Sequence, residues 1–331
     1  KKSSNKKHAI TLKTSNSVKL QLHSYLVFIT IQITLFNRCT AKKPRHLICF
    51  KQWTPEMVLK VLNSAMNLKC SCRDTHHKRM DVLKGSKVMI LQEVNEPVLN
   101  MAVSKASTLL GAYDVNIVDK VIWEQDYNGR LFSLMTDIIF VCTRTHMCVQ
   151  RFADQSSVPV VCMSSRTHAS IQSLSTVMAI MEEFGKMCSL NVSYLGPPAP
   201  VLNSYLLLCP MLGANIRFKC CCEKCPVSPL LYKASETMCS KSKTVSKECK
   251  NNDELFHEAN VVIAGPTHEK KSEDIEKQTC CKWIFFHTCP RGKEVDDHLF
   301  KHSNSRTFNA FENMHFIAAA LMANALKDKS F

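Results

Sequence analysis

Between residues 87 and 326, short apolar runs alternate with segments in which apolar side chains return every three or four positions. The runs at 87–91, 115–118, 137–142, 158–163, 190–195, 215–219, 260–264 and 282–286 read as short strands, most of them dominated by apolar residues. Helices are expected at 97–110, 131–135, 147–153, 170–184, 201–211, 253–258 and 314–326. This alternation narrows the choice of architecture, because parallel strands need crossover helices and those helices cover both faces of the sheet. The fold class expected is α/β, with doubly wound parallel sheets in αβα layers. Near 184–190 the long helix ends and a second series of units begins, so two domains are expected, 44–180 and 181–312. Ahead of the first strand, Thr54 and Pro55 suit the cap and first position of another helix, whose buried face carries Met57, Leu59, Val61, Leu62, Met66 and Leu68.

The net charge of +15 invites an anionic partner, but much of it is local. Residues 1–43 carry eight Lys, one Arg and no acidic residue, the composition of a presequence or a basic arm. That arm has few aromatics, Tyr25, Phe28 and Phe36 among them, so no nucleic-acid partner is expected. Its apolar stretch, 25–36, is too short to cross a bilayer, and no membrane span is expected. The 18 cysteines are scattered through apolar runs and point to a reduced compartment. Cys220-Cys221-Cys222-Glu-Lys-Cys225 contains one C-x-x-C, and Cys70 and Cys72 lie near His76 and His77. Neither has a second pair at finger spacing, so no metal and no cofactor is expected. The sequon Asn191-Val192-Ser193 falls in an expected buried strand. The polar pieces 233–252 and 268–277 read as surface insertions or mobile loops.

Near the C-terminus, Trp283-Ile-Phe-Phe-His-Thr-Cys-Pro-Arg-Gly-Lys-Glu-Val-Asp-Asp-His-Leu-Phe300 is an apolar run that delivers polar groups at its carboxyl end. It resembles the His-Cys-Leu-Pro-Arg and Glu-Val-Asp-Asp signature of the ornithine transcarbamylases. Segments 46–69, 83–110, 131–143, 157–185, 190–219, 260–263 and 283–313 follow one another in that family's order. The resemblance implies a carbamoyl-phosphate domain from 44–180 plus 313–331, with the C-terminal helix returning to it, and an ornithine domain from 181–312. It further implies a homotrimer with sites between subunits and, with the basic N-terminus, a mitochondrial matrix address; a cytoplasmic one is the alternative.

The functional positions that the resemblance carries over read differently here. The family's phosphate loop, Ser-Thr-Arg-Thr-Arg at a helix start, falls on Glu96, Pro97, Val98, Leu99 and Asn100. Glu96 sets a carboxylate where a phosphate would rest, and Pro97 removes an amide donor. The arginine of Ala-Arg-Val becomes Cys142, and that of Glu-Asn-Arg becomes Met314 behind Glu312 and Asn313. His-Pro-x-Gln becomes Ala169-Ser170-Ile171-Gln172, which keeps only the glutamine; the neighbouring His168 is offset by one residue at a helix entry.

On the amino-acid side, the family's Gly-Asp-Gly-Asn-Asn-like turn becomes Gly196-Pro197-Pro198-Ala199-Pro200, and Asp-x-x-x-Ser-Met-Gly becomes a loop beginning at Gly265. The family's cysteine falls on Thr288, beside Cys289, with His287, Pro290 and Arg291 kept. Three arginines lost from one anion pocket, at 1.5–3 kcal/mol each, remove about 5–9 kcal/mol of binding. The expectation is an ornithine carbamoyltransferase-like pseudoenzyme with Gln172, His287, Cys289 and Arg291 as remnants, and without tight small-molecule binding. The alternative is an active carbamoyltransferase, forming citrulline from ornithine and carbamoyl phosphate in a rearranged pocket. A Cys289–His287 nucleophile pair would need an orienting acid that the spacing does not reveal.

Overall fold

The apolar runs become the parallel strands of two sheets. The computed structural model describes residues 46–74, 79–121, 123, 125, 127–220, 227–266 and 275–328. In the first sheet β1 (Lys87–Gln92), β2 (Asp114–Asp119), β3 (Ile138–Cys142) and β4 (Val160–Ser164) lie in the order β2-β1-β3-β4. In the second, β5 (Asn191–Gly196), β6 (Asn215–Cys220), β7 (Ser246–Glu248), β8 (Val261–Ala264) and β9 (Ile284–His287) lie in the order β7-β6-β5-β8-β9. All of these ladders are parallel. Strand order therefore reverses between β1 and β3 and again between β5 and β8, and crevices at the carboxyl ends of such pairs are where open α/β sheets hold ligands.

The two-residue period of a strand sorts the core. Ile90 and Phe140 of the first sheet, and Tyr194, Ile263 and Phe286 of the second, join one large apolar cluster that also takes in the long helices. Their neighbours point the other way: Leu91 and Val141 join a cluster on the far face of the first sheet, Val262 and Phe285 one on the far face of the second.

Three helices are central to that large cluster: α1 (Pro55–Asp74), α5 (Ser170–Phe184) and, at the C-terminal end, α11 (Thr307–Lys327), which packs on α5, α1 and α2 (Pro97–Leu109). The remaining helices are α3 (Asn128–Ser133), α4 (His146–Gln155), α6 (Pro200–Met211), α7 (Pro229–Ser242), α8 (Asn252–Phe256), α9 (Ile275–Gln278) and α10 (Asp297–Phe300). The Thr54 hydroxyl accepts from the Met57 N–H at 3.3 Å and caps α1 as its sequence suggests. Gly185, at φ +78°, terminates α5 in the left-handed conformation. The buried Lys69 ammonium joins the long helices: it donates to Asn313 at 2.6 Å and lies 3.0 Å from Glu182 and 3.3 Å from Glu312.

Four boundaries differ from the sequence reading. Helix α1 runs on past Leu68 into 70–81, which its polar, cationic composition suggests is a loop, and takes in Cys70 and Cys72, the Cys72 side chain being buried in the core; His76 and His77 lie outside the described residues. The piece 233–252 is largely ordered secondary structure: most of α7, then β7, a three-residue edge strand too short and polar to carry an apolar signal. Helix α11 begins at Thr307, seven residues before Met314, because Ala310 and Met314 continue one buried face. Of 268–277, residues 275–277 belong to α9 and the rest lie outside the described residues, as does the arm 1–43. The sequon lies within β5, where Ser193 is fully buried and donates to the Leu255 carbonyl at 2.6 Å.

Candidate functional site

At the first reversal point the loop after β1 leads into α2. Glu96 occupies the cap position but its side chain makes no capping bond, and Pro97 takes the first helical position. Burial raises the pKa of the Glu96 carboxyl, and no cation among the described residues offsets it. Cys142, at the end of β3, is wholly buried, and its thiol is pushed up by burial and then by the nearby Glu96 charge. Val98 faces solvent and Leu99 is buried. Asn100 is turned inward, donating to Gln92 at 2.6 Å, and Gln92 in turn donates to Asp119. The carboxylate that organises the crevice is Glu93, which sequence reasoning passed over. It accepts from the Arg144 N–H at 2.9 Å and the Thr143 hydroxyl at 2.8 Å, and these bonds hold its pKa below the usual carboxylate range. The crevice thus presents carboxylates and a thiol beside α2, while the Arg144 and Arg166 charges lie near Glu93 and help to hold it ionised.

Helix α5 enters at Ala169, whose N–H donates to the Ser204 hydroxyl at 3.2 Å. His168 is buried, with Nδ1 3.4 Å from that hydroxyl and Nε2 3.1 Å from the Cys49 sulfur. The Ser204 hydroxyl donates to the Pro200 carbonyl at 3.1 Å, so toward His168 it can only accept. The proton of the neutral imidazole therefore sits on Nδ1, leaving Nε2 to accept from the Cys49 thiol. Burial, and then the nearby His146, lower the His168 pKa to about 4, so this is a neutral hydrogen-bonded pair within the protein interior.

The second reversal point is closed by contact. The Tyr194 hydroxyl donates to the Pro197 carbonyl at 3.0 Å, and a Cβ on Gly265 would stand 2.7 Å from that same oxygen. A side chain at residue 265 would therefore require the buried Tyr194 ring to shift. Residues 267–271 of its loop lie outside the described residues.

After β9, His287 is enclosed. Its Nδ1 accepts from the Cys289 N–H at 3.0 Å, and its Nε2 lies 2.9 Å from Glu294, whose carboxylate also accepts from the Gly292 N–H at 2.8 Å. Burial lowers the His287 pKa, with Glu294 opposing it; burial raises the Cys289 thiol, with Glu294 adding to the rise. Glu294 is the acid that the sequence spacing did not reveal, recognisable afterwards as the first residue of Glu-Val-Asp-Asp. Because the Nδ1 lone pair already accepts from the Cys289 N–H and Nε2 faces the Glu294 carboxylate in a close contact without an aligned hydrogen bond, His287 holds the turn and is not poised to activate the Cys289 thiol. Arg291 is likewise engaged nearby, donating to the Val295 carbonyl at 2.9 Å and to Asp297 at 2.5 Å, over the Phe300 ring. Asp297 is held down to about 2 by Lys301 and Arg291.

Gln172, His287, Thr288 and Met314 line one space, and Gln172 Nε2 donates to the Thr288 carbonyl at 2.9 Å. The space they enclose with Tyr205 and Phe311 is about 10 Å³, room for one water. Glu96, Pro97, Val98, Leu99, Asn100, Cys142, Ala169 and Gly265 do not line it. Among the described residues, no group of three or more His, Cys, Asp and Glu side chains could hold a metal ion, and no helix is long and apolar enough to cross a membrane. Cys221, Cys222 and Cys225 lie outside them.

No family model matches the chain. Among curated proteins it is similar to the mitochondrial ornithine carbamoyltransferase of Aquarana catesbeiana, 24% identical over 321 residues covering 87% of this chain and 88% of the relative. The mitochondrial ornithine transcarbamylase of Gallus gallus is 22% identical over 358 residues, covering 98% of this chain and 96% of the relative. Among solved structures, the ornithine carbamoyltransferase of Pyrococcus furiosus superposes with a TM-score of 0.81 at 20% identity, covering 87% of this chain and 98% of that one. A mitochondrial ornithine carbamoyltransferase from Coccidioides immitis gives 0.79 at 17% identity, covering 87% and 98%. Along most of both chains the sequence is thus similar to that of ornithine carbamoyltransferases, and the two-sheet fold is shared with them.

Proposed function

We propose that the chain is a catalytically silent carbamoyltransferase-like protein that acts, where it acts, through assembly or partner binding. The observation that supports this most is the point of convergence itself: Gln172, Thr288 and Met314 meet around a space of about 10 Å³. At the crevice by α2, Glu96 stands without a counter-ion among the described residues. Transfer of a carbamoyl group requires the phosphate oxygens to be held as charge shifts onto them, a task for preorganised donors and cations. Met314, Val98 and Cys142 supply neither.

The reading also takes the homotrimer, the division into 44–180 plus 313–331 and 181–312, and the mitochondrial matrix as properties of this chain. Sedimentation should give three times the 37.5 kDa chain mass. Purified full-length protein should form no citrulline from ornithine and carbamoyl phosphate, and carbamoyl phosphate should leave its melting temperature unchanged. Citrulline formation that saturates in ornithine and is abolished by Gln172→Ala would establish the active alternative instead.

A further inference from the structure

A groove of about 340 Å³ runs beside β6 and β7, away from both reversal points, with Arg217, Lys247, Asp253, Glu254 and His257 among its walls. Arg217 and Lys247 are register partners on neighbouring parallel strands, so their side chains leave the same face of the sheet. Like charges so placed repel each other. Lys247 has its counter-ion in Glu254. Arg217 has none among the described residues; it donates one guanidinium N–H to the His257 carbonyl, which anchors it and leaves its other donors available.

Among the described residues Asp253 also has no cation, and it accepts from Gln278 Nε2 at 2.6 Å. A carboxylate can only accept, so this bond fixes the orientation of the Gln278 amide, and Gln278 Oε1 is left as a buried acceptor without a partner. The groove therefore carries surplus donors at Arg217 and a surplus acceptor at Asp253, which Gln278 orients from beyond the lining, while its two acidic and two basic side chains cancel in net charge.

We propose that this groove binds a free α-amino acid by its zwitterionic head, with Arg217 holding the carboxylate and Asp253, backed by Gln278, holding the ammonium. A simple anion would be repelled by Asp253 and a simple amine by Arg217; only a ligand carrying both charges satisfies both walls. The volume lies at the small end of ligand pockets, which suits a single amino acid. The site is remote from the crevice by α2 and does not depend on whether carbamoyl transfer has been lost.

The test uses the full-length protein. A thermal-shift panel of the twenty L-amino acids is followed by calorimetric titration of the best responder, beside sodium acetate and methylammonium chloride. Saturable binding of at least one amino acid is expected, with acetate and methylammonium each weaker by tenfold or more. Arg217→Gln and Asp253→Asn should each weaken that amino acid about tenfold to a hundredfold while melting as the parent does, and Gln172→Ala should leave it unchanged. The proposal is overturned if no amino acid binds, if acetate or methylammonium binds as tightly, or if Gln172→Ala abolishes binding while Arg217→Gln does not.

Discussion

Glu96 and Met314 stand where the family resemblance expects a phosphate cradle, and neither can be repaired alone. Groups that act as a unit on one transition state are strongly non-additive. Thr288→Cys or Glu96→Ser should therefore leave citrulline formation at background, as should rebuilding residues 96, 97, 98 and 100 together, which would restore anion binding at most. Measurable turnover in any of these variants would contradict the account. His168 makes a different kind of prediction. Its pKa, lowered by burial to about 4, lies below the ordinary value of 6.5, so the unfolded chain takes up a proton that the native chain refuses. Its contribution is complete above pH 6.5 and is lost as pH falls toward 4, about 3 kcal/mol in all. His315 is lowered to about 4 as well, and adds in the same direction. Urea unfolding between pH 7 and 4.5 should show the decline, and His168→Gln should flatten it.

At the scale of elements, α1, α5 and α11 are joined by one buried ammonium. Lys69 meets Glu182 of α5 and Asn313 and Glu312 of α11, and Asn313 in turn donates to Glu182 at 2.9 Å. A hydrogen bond to a charged group contributes about 1.5–3 kcal/mol, and Lys69→Met should cost an amount in that range. The urea midpoint should fall with the slope unchanged; no change in midpoint would mean that water replaces the ammonium fully. Glu312 and Asn313, which precede Met314, thus hold helices together.

For the whole molecule the consequential helix is the last one. From Ala310 to Ala323, α11 buries residues against α5, α1 and α2, and it also touches β3 of the first sheet and β9 of the second. Truncation after Arg306 would expose the faces of three helices at once, at about 25 cal/mol for each Å² of apolar surface returned to water. The shortened chain should show no cooperative thermal transition and should bind a hydrophobic dye; a sharp transition near the parental temperature would show that α11 is peripheral.

The alternation of apolar runs and helical periods was enough to determine the class of fold and the span of nearly every strand, because burial on a sheet and on a helix face each imposes its own period on the chain. Strand β7 escaped because three residues at a sheet edge bury too little to leave a pattern. The positions of Glu96, Cys142, Gln172, Thr288 and Met314 could be named from the chain through its family resemblance, but not what surrounds them. Whether Met314 and Phe311 leave room beside Gln172, whether Glu294 reaches His287, and whether Arg217 and Asp253 share one groove depend on side chains distant in sequence. Those are matters of distance and packing across elements, which local periodicity does not encode, and tertiary structure decided them.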